Sequence, residues 1–426
     1  MKNYYLLLVI SSLTLLWCMP NSISAQTWQT TDITFSSARF EDMFFLTPTL
    51  GYIVNGEGFI YRTEDGGDHW QGVFITSDYL RSIEFLDTEV GFAGSLDGSL
   101  FRTTNGGANW LNITGQIPGS ISGICGMSHV GTQTIIGVGT FSGDPVFIRS
   151  DNQGDDWTYK DMSDLVSGLV EVHFFDSQNG LIGGISNNSG AVILRTEDGG
   201  ETWENVFEAN RVLEFVWKLD ALDDNLIYGA IENYLPEGNG RYIVKSEDGG
   251  HTWEEKLVSN GFHDLQGIGF RNELEGWVCP RNSGMFHTLD GGETWSQDNT
   301  ISNINRIWRV DENLLYACGS HFYRNGNLPT ETNVISTEPI MPAISGIAPN
   351  PFGESLSFTV QVPPSGQALV EVINQEGKLM YRWEKRNFPQ GANSFTLDQT
   401  ADWPSGVYYL SVRCKEGHAG KKIIKR

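Results

Sequence analysis

A phrase of the form Ser/Thr-x-Asp-x-Gly-x-x-Trp recurs along this chain and constrains its fold more than any other feature. It occurs at Thr63–Trp70, Thr103–Trp110, Ser150–Trp157, Thr196–Trp203, Ser246–Trp253 and Thr288–Trp295. The third position holds Asp65, Asn105, Asn152, Asp198, Asp248 and Asp290. The closing tryptophans, Trp70, Trp110, Trp157, Trp203, Trp253 and Trp295, are spaced by about 40 to 50 residues, the length of one propeller blade. Each copy follows a short apolar run such as Phe59-Ile-Tyr-Arg62 or Val192-Ile-Leu-Arg195, so the phrase reads as a hairpin turn. A short side-chain carbonyl there accepts hydrogen bonds from the turn's own N–H groups, which Asn can do as well as Asp. The fifth position, always Gly, suits a backbone with φ > 0, and the Trp opens the next strand and buries its ring between blades.

The six phrases resemble the Asp-box (BNR) repeat. In that family the boxes lie on the outer rim, which implies a structural role for their acids. The run Asp151-Asn152-Gln153-Gly154-Asp155-Asp156 lacks the acid spacing and closing Glu of a calcium loop, and its register makes it a box. The repeats are similar to those of photosystem II assembly-factor propellers and, more distantly, of sortilin-type propellers.

The chain of 426 residues carries a formal charge of -24, and it shows no basic stripe of the kind that binds nucleic acid. Charged residues are scarce at 19% while Gly numbers 49, which suits an all-β protein with many tight turns. Residues 1–25 read as a secretory signal peptide: Lys2, an apolar core over Tyr4–Trp17, and a cleavage site after Ala25. A lipoprotein signal at Cys18 is disfavoured by the bulky Trp17 before it. No later apolar stretch is long enough for a transmembrane anchor. Cys125, Cys279, Cys318 and Cys414 follow no zinc spacing. Cys279 and Cys318 occupy equivalent strand positions, which suits small buried thiols better than a disulfide.

Gln26-Thr-Trp28 reads as the tail of a box without its head, while Ser320–Arg324 reads as a strand with no Trp after it. Trp28 is therefore expected to supply the outer strand of the last blade, closing a seven-bladed β-propeller and hiding its edges. Blade openings such as Ser82–Asp87 with Gly91–Gly94, and Ile268–Asn272 with Gly276–Cys279, alternate apolar residues as half-buried strands do. The longest variable loop is expected at Ile231–Arg241, and function tends to sit on such loops. Residues 327–343 read as a Pro/Thr/Glu-rich linker between the propeller, 26–326, and a small C-terminal β-sandwich, 344–426.

The last block carries Ala348-Pro-Asn-Pro-Phe352, Asn374-Gln-Glu-Gly-Lys378, Ser405-Gly-Val-Tyr-Tyr409 and a basic ending at Lys421–Arg426. It resembles the C-terminal sorting domain of the type IX secretion system of Bacteroidetes. That resemblance implies export across the outer membrane, with the secretion machinery as a partner and the cell surface or medium as destination.

For function, the innermost strands were aligned on their Phe-x-Asp-like phrases. The alignment collects Glu41, Asp42, Arg81, Glu171, Glu214 and Arg306 as a polar ring in the channel, with Trp308, Trp217, His173 and His263 near it in sequence. Such a ring with aromatics could hold a peptide or glycan. Alternatively it is a water-filled channel whose charges pair with one another. No cofactor or metal motif occurs. The Asp-box resemblance also raises a glycoside hydrolase. A sialidase would carry an Arg-Ile-Pro phrase, absent here, and related xyloglucanases use two propellers. No carboxylate pair is marked out by context. The expectation is recognition rather than catalysis.

Overall fold

The computed structural model describes residues 27–31, 38–141, 143–234, 240–261, 264–281, 283–329, 343–362, 368–375, 378–383, 391–398, 400–414 and 417–426. The signal-peptide reading, most of the linker, the middle of the loop at Ile231–Arg241 and His263 lie outside the described residues. The chain divides into two compact units, Met1–Leu328 and Pro329–Arg426.

Unit one holds seven four-stranded antiparallel sheets. Blade one is built from Phe40–Phe45, Gly51–Asn55, Phe59–Thr63 and Gln71–Phe74, and blades two to six repeat this order. Blade seven takes Ile304–Asp311, Leu314–Gly319 and Phe322–Gly326 from the end of the unit, and its outer strand is Trp28–Thr31 from the beginning. The register sets Trp28 opposite Asn325 and Thr31 opposite Phe322. Joining the two ends in one sheet leaves no blade with a bare third strand.

The boxes form as hydrogen-bonded turns. In blade four the Thr196 hydroxyl donates to Asp198 Oδ1 at 2.8 Å and accepts the Gly200 N–H at 2.9 Å, while Thr202 N–H donates to the same Oδ1 at 2.8 Å. Asn105 and Asn152 accept the equivalent N–H, from Asn109 and Asp156, at 2.9 Å. Gly200 lies at φ 99°, and a Cβ there would stand 2.5 Å from the Phe147 ring of blade three. Both the conformation and the close approach therefore require glycine. Trp203 Nε1 donates to Gly200 O at 3.1 Å, and its ring meets Phe147 edge-on at 5.5 Å. The same contact joins Trp157 to Phe92 of blade two and Trp70 to Phe322 of blade seven. Each box thus packs against the blade before it. An arginine ahead of the box reaches the next blade: Arg149 Nη1 donates to Gly199 O at 3.0 Å, and Arg102 Nη1 to Asp155 at 2.8 Å.

Unit two pairs a three-stranded sheet with a four-stranded one around a shared core that includes Phe352, Phe358, Val370, Leu410 and Ile423. Phe352 N–H donates to Ile424 O at 2.8 Å and Arg426 N–H to Phe352 O at 2.9 Å, so the Pro-Asn-Pro-Phe opening is tied to the basic ending. Cys125, Cys279, Cys318 and Cys414 are free, and the first three are buried.

Candidate functional site

The innermost strand of six blades carries a bulge near its start, leaving one residue unpaired: Glu41, Arg81, Val170, Trp217, Gln266 and Asn305. In blade three Cys125 N–H donates to Val138 O at 2.8 Å while Gly126 is paired with Val138, giving the equivalent place. A bulge twists its strand and turns the next side chains. From the residue after the bulge, every second side chain lines the channel, as Glu171 and His173, Lys218 and Asp220, and Arg306 and Trp308 do.

The bulged residues close the channel. Tyr79 OH donates to Glu41 Oε1 at 2.6 Å, Asn305 Nδ2 to Glu41 Oε2 at 2.9 Å, and Arg81 Nη1 to Glu41 O at 3.1 Å. Trp217 Nε1 donates to Asn305 Oδ1 at 3.2 Å, and the Arg81 guanidinium lies 5.3 Å from the Trp217 ring centre. Glu41, Arg81, Trp217 and Asn305 are all buried. Glu41 and Arg81 therefore sit in a plug rather than at an open mouth.

The next ring is ionic. Glu171 accepts from Lys218 Nζ at 2.8 Å and from Arg306 Nη1 at 2.6 Å, and Arg306 Nε lies 3.5 Å from Asp42 Oδ1. Asp42 Oδ2 also accepts the Ile83 N–H at 3.2 Å. Burial alone would push the Glu171 carboxyl up, but Lys218 and Arg306 outweigh it and hold the carboxyl below its usual range. Burial lowers Lys218, with Glu171 opposing. Burial also works against Arg306, yet Glu171 and Asp42 raise it.

Beyond this ring lies a cavity of about 210 Å³ lined by Glu84, Ser128, His173, Asp220 and Trp308 together with Glu171, Lys218 and Arg306. Trp308 packs on Phe44 at 4.9 Å and stands 5.8 Å from the Arg306 guanidinium. Glu84 Oε1 lies 2.6 Å from His129 Nδ1. Burial raises Glu84 despite His129, whereas Glu84 raises His129 against the effect of burial. Burial takes His173 down to about 4 and Asp220 up to about 6, although Phe270 N–H donates to Asp220 Oδ2 at 2.7 Å.

The structure thus brings together Asp42, Glu171, Arg306 and Trp308, with Glu41 and Arg81 in the adjacent plug. Glu214 is elsewhere, at the start of its strand, bonded to Arg211 Nε at 2.7 Å and to Asn233 Nδ2. In blade five the bulge falls at Trp217, three residues after the position inferred from the alignment. Lys218, Asp220, Glu84 and His129 were missed. The signal was obscured because the aligning Phe is replaced by Ala221. Phe45, Phe85, Phe174 and Phe270 each face a Gly across the hairpin, whereas Ala221 faces Ile227. The large and small partners have exchanged strands. Among the described residues no group of three or more His, Cys, Asp or Glu is arranged to hold a metal ion, and no helix is long and apolar enough to cross a membrane.

The profile of the family described as photosynthesis system II assembly factor YCF48 matches residues 20–160 and 232–304, half of the chain. The chain belongs to this YCF48-like BNR-repeat family. The profile of the secretion system C-terminal sorting domain matches residues 346–426. The YCF48-like propeller is therefore fused to a type IX sorting domain, which directs export to the cell surface or medium and engages the secretion machinery.

Among solved structures, YCF48 from Cyanidioschyzon merolae is 18% identical, with a TM-score of 0.55, covering 71% of this chain and 98% of that one. A structure described as YCF48 bound to D1 peptide is also 18% identical, with a TM-score of 0.54, covering 72% of this chain and 96% of that one. The GH74 enzyme of Niastella koreensis is 13% identical, with a TM-score of 0.54, covering 93% of this chain and 67% of that one. At these identities the likeness extends to the fold alone. No curated protein sequence matches the chain.

Proposed function

We propose that the exported propeller is a non-catalytic recognition module that takes a polypeptide or glycan segment into the channel cavity beside Trp308. The observation that carries this reading is the commitment of Glu171 to both Lys218 and Arg306. A glycosidase needs two carboxyl groups free to flank the scissile bond. Here Glu171 is held by two cations and Glu84 by His129. The plug of Glu41, Arg81 and Asn305 gives the cavity a floor, and Arg306 with Trp308 offers one cationic and one aromatic contact. The family supports a polypeptide ligand, since one structure of YCF48 is described as bound to a peptide.

The second reading, a secreted glycoside hydrolase, draws on Asp220. This carboxyl is raised to about 6 within the cavity, as a general acid requires, and the GH74 enzyme shares the fold. Both readings meet in one experiment: the secreted protein is screened for binding to peptide and glycan arrays and for turnover of oligosaccharides. Binding without turnover, lost in Trp308→Ala and unchanged in Asp220→Asn, supports recognition. Turnover abolished by Asp220→Asn overturns it.

A further inference from the structure

Alternation along a strand turns one face of a sheet to the core and the other to water. The four-stranded sheet of unit two runs in the order Leu379–Arg382, Leu369–Asn374, Gly406–Cys414, Gly417–Lys425, and its outer face departs from that rule. Tyr408, Leu410 and Val412 lie in the core. The residues between them point outward, and Ser411 and Arg413 are polar, as water requires. Tyr409 is largely apolar, and so are its neighbours. The register sets Ile373 on one side of it and Lys422 on the other, Leu379 beyond Ile373, and Val407 opposite Ile424 in the next row. Leu379, Tyr409 and Ile424 are 43%, 42% and 37% exposed. These side chains form one apolar strip across the four strands, with Lys422 at its edge.

The phrases that mark this block as a sorting domain divide in two. Most of their residues build the sandwich. Tyr408 OH donates to Pro404 O at 2.7 Å, and its ring lies 5.0 Å from that of Trp403. Asn374 Oδ1 accepts the Lys378 N–H at 2.8 Å, closing a turn. Phe352 and Ile423 are fully buried, and Lys425 Nζ donates to Gly353 O at 2.7 Å. Val407, Tyr409, Lys422 and Ile424 belong to the same phrases, yet their side chains lie on the outer face and serve no part of the core. The backbone beside them is already taken. Asn350 Oδ1 accepts the Ile424 N–H at 2.9 Å, Asn350 Nδ2 donates to Lys422 O at 3.4 Å, and Phe352 N–H donates to Ile424 O at 2.8 Å. The sheet edge next to the strip is thus closed to an added strand, and a partner there meets side chains.

We infer that this strip is the surface by which the secretion machinery holds the sorting domain, and that the partner presents an apolar patch with a carboxylate facing Lys422. The occupant is the secretion machinery because this unit is the one that engages it. An aromatic ring among aliphatic side chains, with a charge at the rim, is the composition of a protein-binding hot spot. The charge is a cation: Glu371, the acid of this face, accepts from Arg382 Nε at 2.6 Å, so Lys422 is the strip's own charge. The inference concerns unit two alone and does not rest on the channel reading.

The test uses the full chain, made in a cell that carries the type IX secretion system, and compares the protein retained in the periplasm with that at the surface and in the medium. The melting profile of each variant, purified from a host without the system, is measured alongside. Tyr409→Ser combined with Ile424→Ser should cut export about tenfold, the scale of losing a hot spot, with the melting profile unchanged. Tyr409→Phe, which keeps the ring, should be exported like the parent. Lys422→Glu should also cut export, whereas Arg413→Glu, the same charge reversal outside the strip, should not. Normal export of the double variant overturns the inference, and so does a loss that Arg413→Glu reproduces. Should the double variant melt earlier, Lys422→Glu decides in a folded chain, and its normal export overturns the inference. A photo-crosslinking residue at position 409 should capture an outer-membrane component of the secretion machinery, and capture of a second copy of this chain in its place overturns the inference.

Discussion

Lys218 Nζ stands 2.8 Å from Glu171 Oε2, and both side chains, from the innermost strands of adjacent blades, are almost wholly removed from solvent. Neither could be buried alone, because an unpaired charge in the interior costs several kcal/mol. The pair, completed by Arg306, makes the channel an ionic lock between blades four, five and seven. Lys218→Met should lower stability by about 3 kcal/mol, because it leaves a buried carboxylate with one cation instead of two. Adding Glu171→Gln should recover part of that loss. Urea denaturation of the single and double variants checks both expectations.

Glu232 gives a pH signature. Its carboxylate accepts from Gln266 Nε2 at 2.6 Å and Tyr234 OH at 3.0 Å, yet burial pushes it up to about 7. Between the ordinary carboxyl value and about 7, the folded chain holds a proton that the unfolded chain has released. This group's contribution to stability therefore falls as pH rises through that window. Glu232→Gln removes the effect. Relative to the parent, the variant should gain on the order of 2 kcal/mol between pH 4.5 and 7 and then level off, as read from denaturation midpoints across that range.

Trp157 is buried against Phe92 of the preceding blade and donates to its own Gly154 carbonyl. Trp157→Ala should cost about 3–5 kcal/mol, the scale of other core aromatic truncations, whereas Trp157→Phe should cost less by keeping part of the ring contact. Thermal unfolding of the two variants separates packing from the hydrogen bond.

Ring closure depends on four residues. Removing Trp28–Thr31 strips the partner from Phe322–Gly326 and exposes a sheet edge. A chain lacking them should self-associate, since a bare edge strand pairs with another chain. Sedimentation at several concentrations would detect this, and a chain that stays monomeric with an unchanged melting temperature would contradict it.

The local repeat was legible in the sequence because each box is a self-contained turn. The hydrogen bonds among its own side chains and backbone run between residues at most four apart, so six phrases in register announce six hairpins, and Asn105 works because an amide oxygen accepts as a carboxylate does. The tail at Trp28 announced ring closure for the same reason, and the sorting domain was legible from its short motifs. The channel was only partly legible. Asp42 and Glu171 were found where Phe anchored the alignment, and Arg306 in blade seven, where Arg309 stands at the anchoring position. Glu214 was chosen in place of Lys218 because blade five exchanges its Phe–Gly pair for Ala221–Ile227. A strand tolerates that exchange because packing depends on the summed volume of the two partners and not on which strand bears the larger. Only the tertiary structure decided which acids meet which cations. A one-residue bulge reverses which side chains face the axis, and the partners of Glu171 come from two other blades, where chain order says nothing about distance.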